Sequence, residues 1–205
     1  MDAVILAGGN GTRIRSVWEG PKCLVPISGT PILGHLIEKL NSLFQPPSKI
    51  ILVLGYKSAY VLDWLSRTKW HTLQSQIDKV EVCVEKETKG TANALRYITS
   101  KLATSVIILN GDTLPWYSLE TLLEAYKNTD TSFLKVPGVA AWHNGAYAGI
   151  CVVPKMDAIN LGKASSLDFY TEKMHRYEVT EGYLDIGTLE NFYKAQTITI
   201  LKESP

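Results

Sequence analysis

Two hydrophobic periods alternate along the chain. Apolar runs of the kind that buried strands require occur at Ala3–Leu6, Lys49–Leu54, Val80–Val84, Ser105–Leu109, Ser132–Val136 and Ala148–Val153. Between them, apolar residues return every three or four positions. Ile32, Leu36, Ile37 and Leu40 predict a helix over Pro31–Leu43, and Ala92, Leu95, Ile98 and Leu102 predict one over Thr91–Leu102. Ser58–Ser66, Ser118–Tyr126 and Thr188–Gln196 complete the helical set. Pro31 suits a first helical turn, Ser118 and Thr188 are candidate N-caps, and Glu190 places an acid in the last helix's first turn. Strands alternating with helices predict an α/β fold: a single-domain, Rossmann-like, mixed and mainly parallel sheet flanked by helices. The least regular stretches, Gly138–Gly145 and Ser165–Glu181, are expected to be loops that shape a substrate site.

Composition narrows this little. A chain of 205 residues suits one domain, 1–205, large enough to bury its own core. The net charge of +1 gives no push toward nucleic acid or a membrane surface, so any basic site must be local. No apolar stretch approaches the ~18 residues of a membrane helix. Cys23, Cys83 and Cys151 are widely spaced and have no Cys-x-x-Cys or Cys/His pattern, so they read as buried thiols of a cytoplasmic protein. The chain ends shortly after its closing helix, and no C-terminal β-helix is expected.

The candidate chemistry starts where the first strand stops. In Leu6-Ala7-Gly8-Gly9-Asn10-Gly11-Thr12-Arg13, three glycines in four positions let backbone N–H groups approach a phosphate, and Arg13 adds a planar cationic fork. The loop lacks the spacing of a P-loop and is a poor dinucleotide-binding match. Lys22 follows in Pro21-Lys22-Cys23-Leu24. Asp112 stands at the end of the apolar run Val106-Ile107-Ile108-Leu109, where a carboxylate is well placed to hold a hard cation. The histidines form no partner pattern, and the tryptophans are too scattered to read as a stacking platform.

The glycine loop followed by Pro-Lys resembles the signature of sugar-1-phosphate nucleotidylyltransferases, closest in pattern to those that make guanylyl derivatives of mannose or heptose 1-phosphate. The resemblance continues in order through Glu85-x4-Gly90-Thr91-Ala92, Asn110-Gly111-Asp112, Ala148-Gly149-Ile150 and Asp185-Ile186-Gly187-Thr188. It implies that a sugar-phosphate oxygen attacks the α-phosphorus of a nucleoside triphosphate and pyrophosphate leaves. Leu6, Ala7, Gly8, Gly9, Gly11, Thr12 and Arg13 would hold the nucleotide, chiefly the departing pyrophosphate. Lys22 would serve the α-phosphate, and Asp112 and Asp185 would hold Mg2+.

Glu85, Gly90, Thr91 and Gly111 would also bind the nucleotide, with Glu85 reading the base and so setting specificity. Guanine offers two donors on its Watson–Crick edge, and an ionised carboxylate accepts both, so GTP is the expected nucleotide; cytosine also offers an amino donor, which keeps CTP open. At the sugar, the resemblance points to Asn110, Gly149, Asp168 and Lys173. Two departures put this part in question: Tyr147 stands where Asn is usual, and Asp168-Phe169 replaces a Glu-Lys pair, with Glu172-Lys173 as a displaced equivalent. A nucleotidyltransferase acting on a non-sugar phosphate and a catalytically silent nucleotide-binding protein are the rival readings. A homodimer would be unsurprising.

Overall fold

The first apolar run becomes the middle of the sheet. β1 (Asp2–Ala7) lies parallel to β4 (Ile50–Leu54) on one side and β6 (Val106–Asn110) on the other, and β5 (Val80–Val84) extends the parallel set beyond β4. Past β6 the pattern changes. β9 (Ala146–Val153) pairs antiparallel with both β6 and β8 (Val139–His143), and β10 (His175–Glu178) closes that edge parallel to β8. The seven-stranded order is β10-β8-β9-β6-β1-β4-β5, with only β9 reversed. Two short antiparallel ribbons lie apart: β2 (Pro26–Ile27) with β3 (Thr30–Pro31), and β7 (Thr113–Pro115) with β11 (Tyr183–Asp185). The computed structural model describes residues 1–67, 79–85, 90–130, 134, 136–155 and 171–198.

Helices cover both faces. α1 (Ile32–Asn41), α2 (Ser58–Arg67), α4 (Leu119–Asn128) and α5 (Leu189–Thr197) contribute Leu36, Val61, Leu122 and Phe192 to a core that takes Ala3 and Ile5 from β1. α3 (Thr91–Arg96) contributes Ala94 and Leu95 to the opposite core, with Val4 and Leu6. The central strands are thus buried on both faces, which is why they read as unbroken apolar runs. The expected mainly parallel sheet is present. Among the described residues no helix is long and apolar enough to cross a membrane.

Several local expectations need correction. Pro31 ends β3 and stands as the N-cap of α1, so the helix begins at Ile32. The helix expected over Thr91–Leu102 stops at Arg96, and a 310 turn, Thr99–Lys101, takes up its end. Ser118 occupies the N-cap of α4, but its hydroxyl makes no capping bond. Thr188 does cap α5, its Oγ1 accepting from Asn191 N at 3.2 Å.

The larger error is Gly138–Gly145. Instead of a loop it holds β8 and a tight turn at Asn144-Gly145, where both residues have positive φ, 52° and 78°. Asn-Gly is the preferred pair for a two-residue hairpin turn, and that was the signal to read. Of Ser165–Glu181, residues 165–170 lie outside the described residues, while His175–Glu178 forms β10 rather than loop. The strand expected over Ser132–Val136 falls mostly outside them too; Leu134 and Val136 are described and form no strand.

Candidate active site

The carboxyl ends of the parallel strands meet in one cleft, as expected for an open α/β sheet. Backbone hydrogen bonds lock the loops together there. Gly111 N donates to Leu6 O at 2.9 Å, Tyr56 N to Gly8 O at 3.3 Å and Glu85 N to Leu54 O at 2.8 Å. The cleft, of about 480 Å³, takes Leu6, Ala7, Gly8, Gly9 and Arg13 from the first loop. It takes Lys22 and Cys23 from the 310 turn Lys22–Leu24, and Glu85, Gly90, Thr91 and Ala94 from the β5 side. Asn110, Gly111, Asp112, Tyr147 and Asp185 complete the lining. Gly11 and Thr12 line a small adjoining hollow with Arg13, Lys22 and Gly187.

Charge concentrates in the middle of this lining. Lys22 Nζ makes an ion pair with Asp112 Oδ2, both side chains half-buried. Asp185 is brought beside them by the β7–β11 ribbon: it pairs with Thr113, and Ile186 N donates to Asp112 O at 2.9 Å. Burial raises the Asp185 pKa and the Asp112 charge raises it further, while Lys22 and Arg13 pull it back. Arg13 and Asp185 converge over Gly187. A methyl there would lie 3.1 Å from Arg13 Nη2 and 3.1 Å from Asp185 Oδ2, close enough to push on both side chains.

Two carboxylates fit a hard divalent cation whose other ligands come from phosphate oxygens and water. The set is too small to hold a metal alone, and among the described residues no group of three or more His, Cys, Asp or Glu is gathered. Burial, with the Asp112 charge, pushes the Cys23 thiol up to about 12.

Glu85 closes the β5 end. It is only 7% exposed, and a methyl on Gly8 would lie 2.6 Å from its Oε2. Asn93 Nδ2, in the first turns of α3, donates to Glu85 Oε1 at 3.5 Å. Burial raises the Glu85 pKa, and the Asn93 contact offsets part of that rise. Asn93 was missed in the sequence; its cue is a polar residue on the helix that opens with Gly90-Thr91, directly behind the expected base reader.

The sugar-side expectations scatter more. Asn110 lines the cleft, its Oδ1 buried with no hydrogen-bond partner among the described residues. Gly149 is not among the lining residues: at φ 80°, its missing Cβ would meet the Thr113 side chain at 2.8 Å. Its position answers the packing of β9 on β7, which in turn sets the start of the Asp112–Asp185 arrangement. Lys173 is exposed and not part of the lining. Asp168 lies outside the described residues. His35 and His143 hydrogen-bond the backbone carbonyls of Ile27 and Val179, which makes both structural.

Over 197 residues the chain is 31% identical to the bifunctional protein GlmU of Methanococcus maripaludis, covering 96% of this chain and 40% of that protein. The chain thus spans less than half the length of such relatives. It is 33% identical over 128 residues to the D-glycero-alpha-D-manno-heptose 1-phosphate guanylyltransferase of Aneurinibacillus thermoaerophilus, covering 62% of this chain and 52% of that one. The crystal structure of HddC from Yersinia pseudotuberculosis complexed with GMP-PN superposes with a TM-score of 0.69 at 27% identity, covering 95% of this chain and 97% of that one. The family model for the MobA-like NTP transferase domain matches residues 3–166, a span that holds every cleft-lining residue except Asp185, and the chain belongs to that family.

Proposed function

We propose that the chain transfers a nucleotidyl group from a nucleoside triphosphate, GTP by preference, to a sugar 1-phosphate, forming a nucleoside-diphosphate sugar and releasing pyrophosphate. The observation that carries the reaction class is the meeting of Arg13, Lys22, Asp112 and Asp185 in one cleft under a glycine loop.

The attacking phosphate oxygen, the α-phosphate and the departing pyrophosphate crowd negative charge at one centre, and catalysis is largely positioning and charge stabilisation. Attack forms a new P–O bond at the α-phosphorus, and the bond to the bridging oxygen breaks with its electron pair leaving on pyrophosphate. Lys22 binds the α-phosphate and screens the approach of the second anion. Arg13 and the loop N–H groups hold the leaving pyrophosphate. Asp112 and Asp185 would hold Mg2+, which supplies charge neutralisation at the phosphates when bound. Because Lys22 is the counter-ion of Asp112 in the free protein, it must turn from carboxylate to phosphate as substrate enters.

GTP preference rests on Glu85, a buried acceptor at the far end of the cleft facing where guanine's two donors would come. The heptose 1-phosphate guanylyltransferase and the GMP-PN complex among the relatives support this reading. Pyrophosphate release with Mg2+ tests it, crossing GTP, CTP, UTP, dTTP and ATP with glucose, mannose, fucose, heptose and N-acetylglucosamine 1-phosphates. Turnover confined to GTP is expected. Turnover with UTP or dTTP alone would keep the class and refute Glu85 as the base reader.

A further inference from the structure

The cleft has a direction. Glu85 follows β5 and Tyr147 opens β9, and those strands stand four places apart in the sheet, roughly 19 Å at the usual spacing. The ion pair and Arg13 lie between them, on the loops after β1 and β6. If the base lies at Glu85 and the reacting phosphates at Lys22, the acceptor's sugar ring extends toward β9. Tyr147 is the lining residue found there.

Tyr147 faces the cleft in an unusual way. It lines the cleft, yet its hydroxyl oxygen is fully buried and turned toward the Cys151 thiol, where it acts to lower a pKa that burial has pushed up to about 12. The polar end of the side chain is committed inward, and what remains for a ligand is ring carbon. Behind the ring stands Trp142, 5% exposed, with centroids 6.4 Å apart and planes tilted 59°. The guanidinium of Arg176 on β10 covers the Trp142 ring at 4.0 Å. Three strands, β8, β9 and β10, therefore brace one aromatic wall. Two tilted rings and a stacked cation resist rearrangement, so the wall is preformed.

We propose that Tyr147 is a specificity-determining residue for the acceptor: its ring is an apolar platform against which a sugar 1-phosphate lays a C–H face. This rests on the transferase reading above. An amide at this position, which the family resemblance leads one to expect, would donate and accept hydrogen bonds with ring hydroxyls. An aromatic carbon surface rewards acceptors whose facing edge carries C–H or methyl groups and disfavours those that turn hydroxyls to it, because a hydroxyl pressed on carbon loses its water without a new partner.

The experiment is steady-state kinetics of pyrophosphate release by the full chain with Mg2+. The five sugar 1-phosphates named above are screened on the wild type and the best is used, with the nucleotide KM measured in parallel. Tyr147→Phe keeps the ring and is expected to leave the acceptor KM within about twofold. Tyr147→Ala is expected to raise it about tenfold while leaving the nucleotide KM unchanged, in line with the loss of one well-packed aromatic contact. Should the alanine variant fail to fold, Tyr147→Leu keeps apolar bulk without the flat face and is expected to raise the acceptor KM too. An equal loss in the Phe and Ala variants would show that the hydroxyl reads the sugar and overturn the proposal. So would an unchanged acceptor KM in the Ala variant, or an equal rise in the nucleotide KM. A wild type silent with all five sugar 1-phosphates would instead overturn the transferase reading, and this proposal with it.

Discussion

The parallel half of the sheet, β5-β4-β1-β6, and the half built around the antiparallel β9 solve different problems. In the parallel half, strand ends are spliced by backbone hydrogen bonds into a rigid floor, and the chemistry sits on short loops: glycines, a lysine and single carboxylates. In the proposed reaction their partners would be the phosphates and the base edge of the nucleotide. In the β9 half, the cleft wall is Tyr147, braced from behind by Trp142, whose ring Arg176 covers in turn. On the proposed reading, one half offers fixed charge and N–H groups to the nucleotide, and the other offers shape to the acceptor. The two can be perturbed separately, and the seam between them should be the most sensitive place of all.

Asp112 is on that seam, following β6 and tied to Asp185 through Ile186. Asp112→Asn removes the carboxylate that pairs with Lys22 and would face the cation. Turnover should fall about a thousandfold, since it loses both the proposed metal ligand and the charge that pairs with the lysine. Thermal melting should show an intact fold. Near-normal pyrophosphate release would remove Asp112 from the proposed mechanism.

Glu85→Gln perturbs only the parallel half. Glutamine can accept one of guanine's two donor bonds and points a donor at the other, so preference for GTP over UTP or dTTP should drop roughly ten- to hundredfold. The acceptor KM should not move. The carboxylate must be ionised to accept both bonds, and burial has raised its pKa. In the wild type the GTP KM should therefore climb as pH falls through a range above the usual carboxylate one, and in the variant that acid limb should vanish. Unchanged relative kcat/KM across the nucleotides would separate Glu85 from base reading.

This contrast also explains what was legible in the sequence. β1, β4 and β6 are buried on both faces, so burial alone writes an unbroken apolar run, and the loops after them carry residue types with few other uses. Glu85, Lys22, Asp112 and Asp185 could be placed in one site before any coordinates, and the cleft lining brings them together. The β9 half resisted. β8 reads Val-Ala-Ala-Trp-His, short and with small residues, and β10 reads His-Arg-Tyr-Glu, an edge strand that is largely exposed. Neither has a period that separates strand from loop. Gly149 looked like a ligand contact because its neighbours match a motif, whereas its φ of 80° and the Thr113 side chain account for it by packing. The sequence does not report that Tyr147 turns its hydroxyl inward, since that depends on Cys151 further along the same strand and on Trp142 across the hairpin.

Gly187 sharpens the seam from the other side. Gly187→Ala would press a methyl to 3.1 Å from both Arg13 Nη2 and Asp185 Oδ2, its nearest neighbours. Both groups lie at flexible side-chain ends and can yield by a few tenths of an ångström, so the fold should be kept. If Arg13 holds the pyrophosphate as proposed, it would lose its aim there, and turnover should fall about tenfold. Stability loss without a loss of turnover would make Gly187 a packing residue.

The smallest effect concerns stability and runs opposite to function. Burial raises the pKa of Glu85 in the folded protein above its value in the unfolded chain. Between those two values the native state binds more protons than the unfolded one, so this group makes the fold less stable as pH rises through that window, and its destabilisation is fully present above the folded pKa. Glu85→Gln cannot ionise, and its amide oxygen can still accept from Asn93. Its melting temperature should therefore exceed the wild type's at neutral pH by about 1–3 °C, and the two should converge at acid pH, below the unfolded pKa. A buried carboxylate kept against its own stability cost is what a base reader requires, because the charge that strains the free protein is relieved only when donors arrive. Saturating GTP should accordingly stabilise the wild type more than the variant, at neutral pH more than at acid pH. Equal stabilisation of both proteins by GTP would leave Glu85 strained but idle.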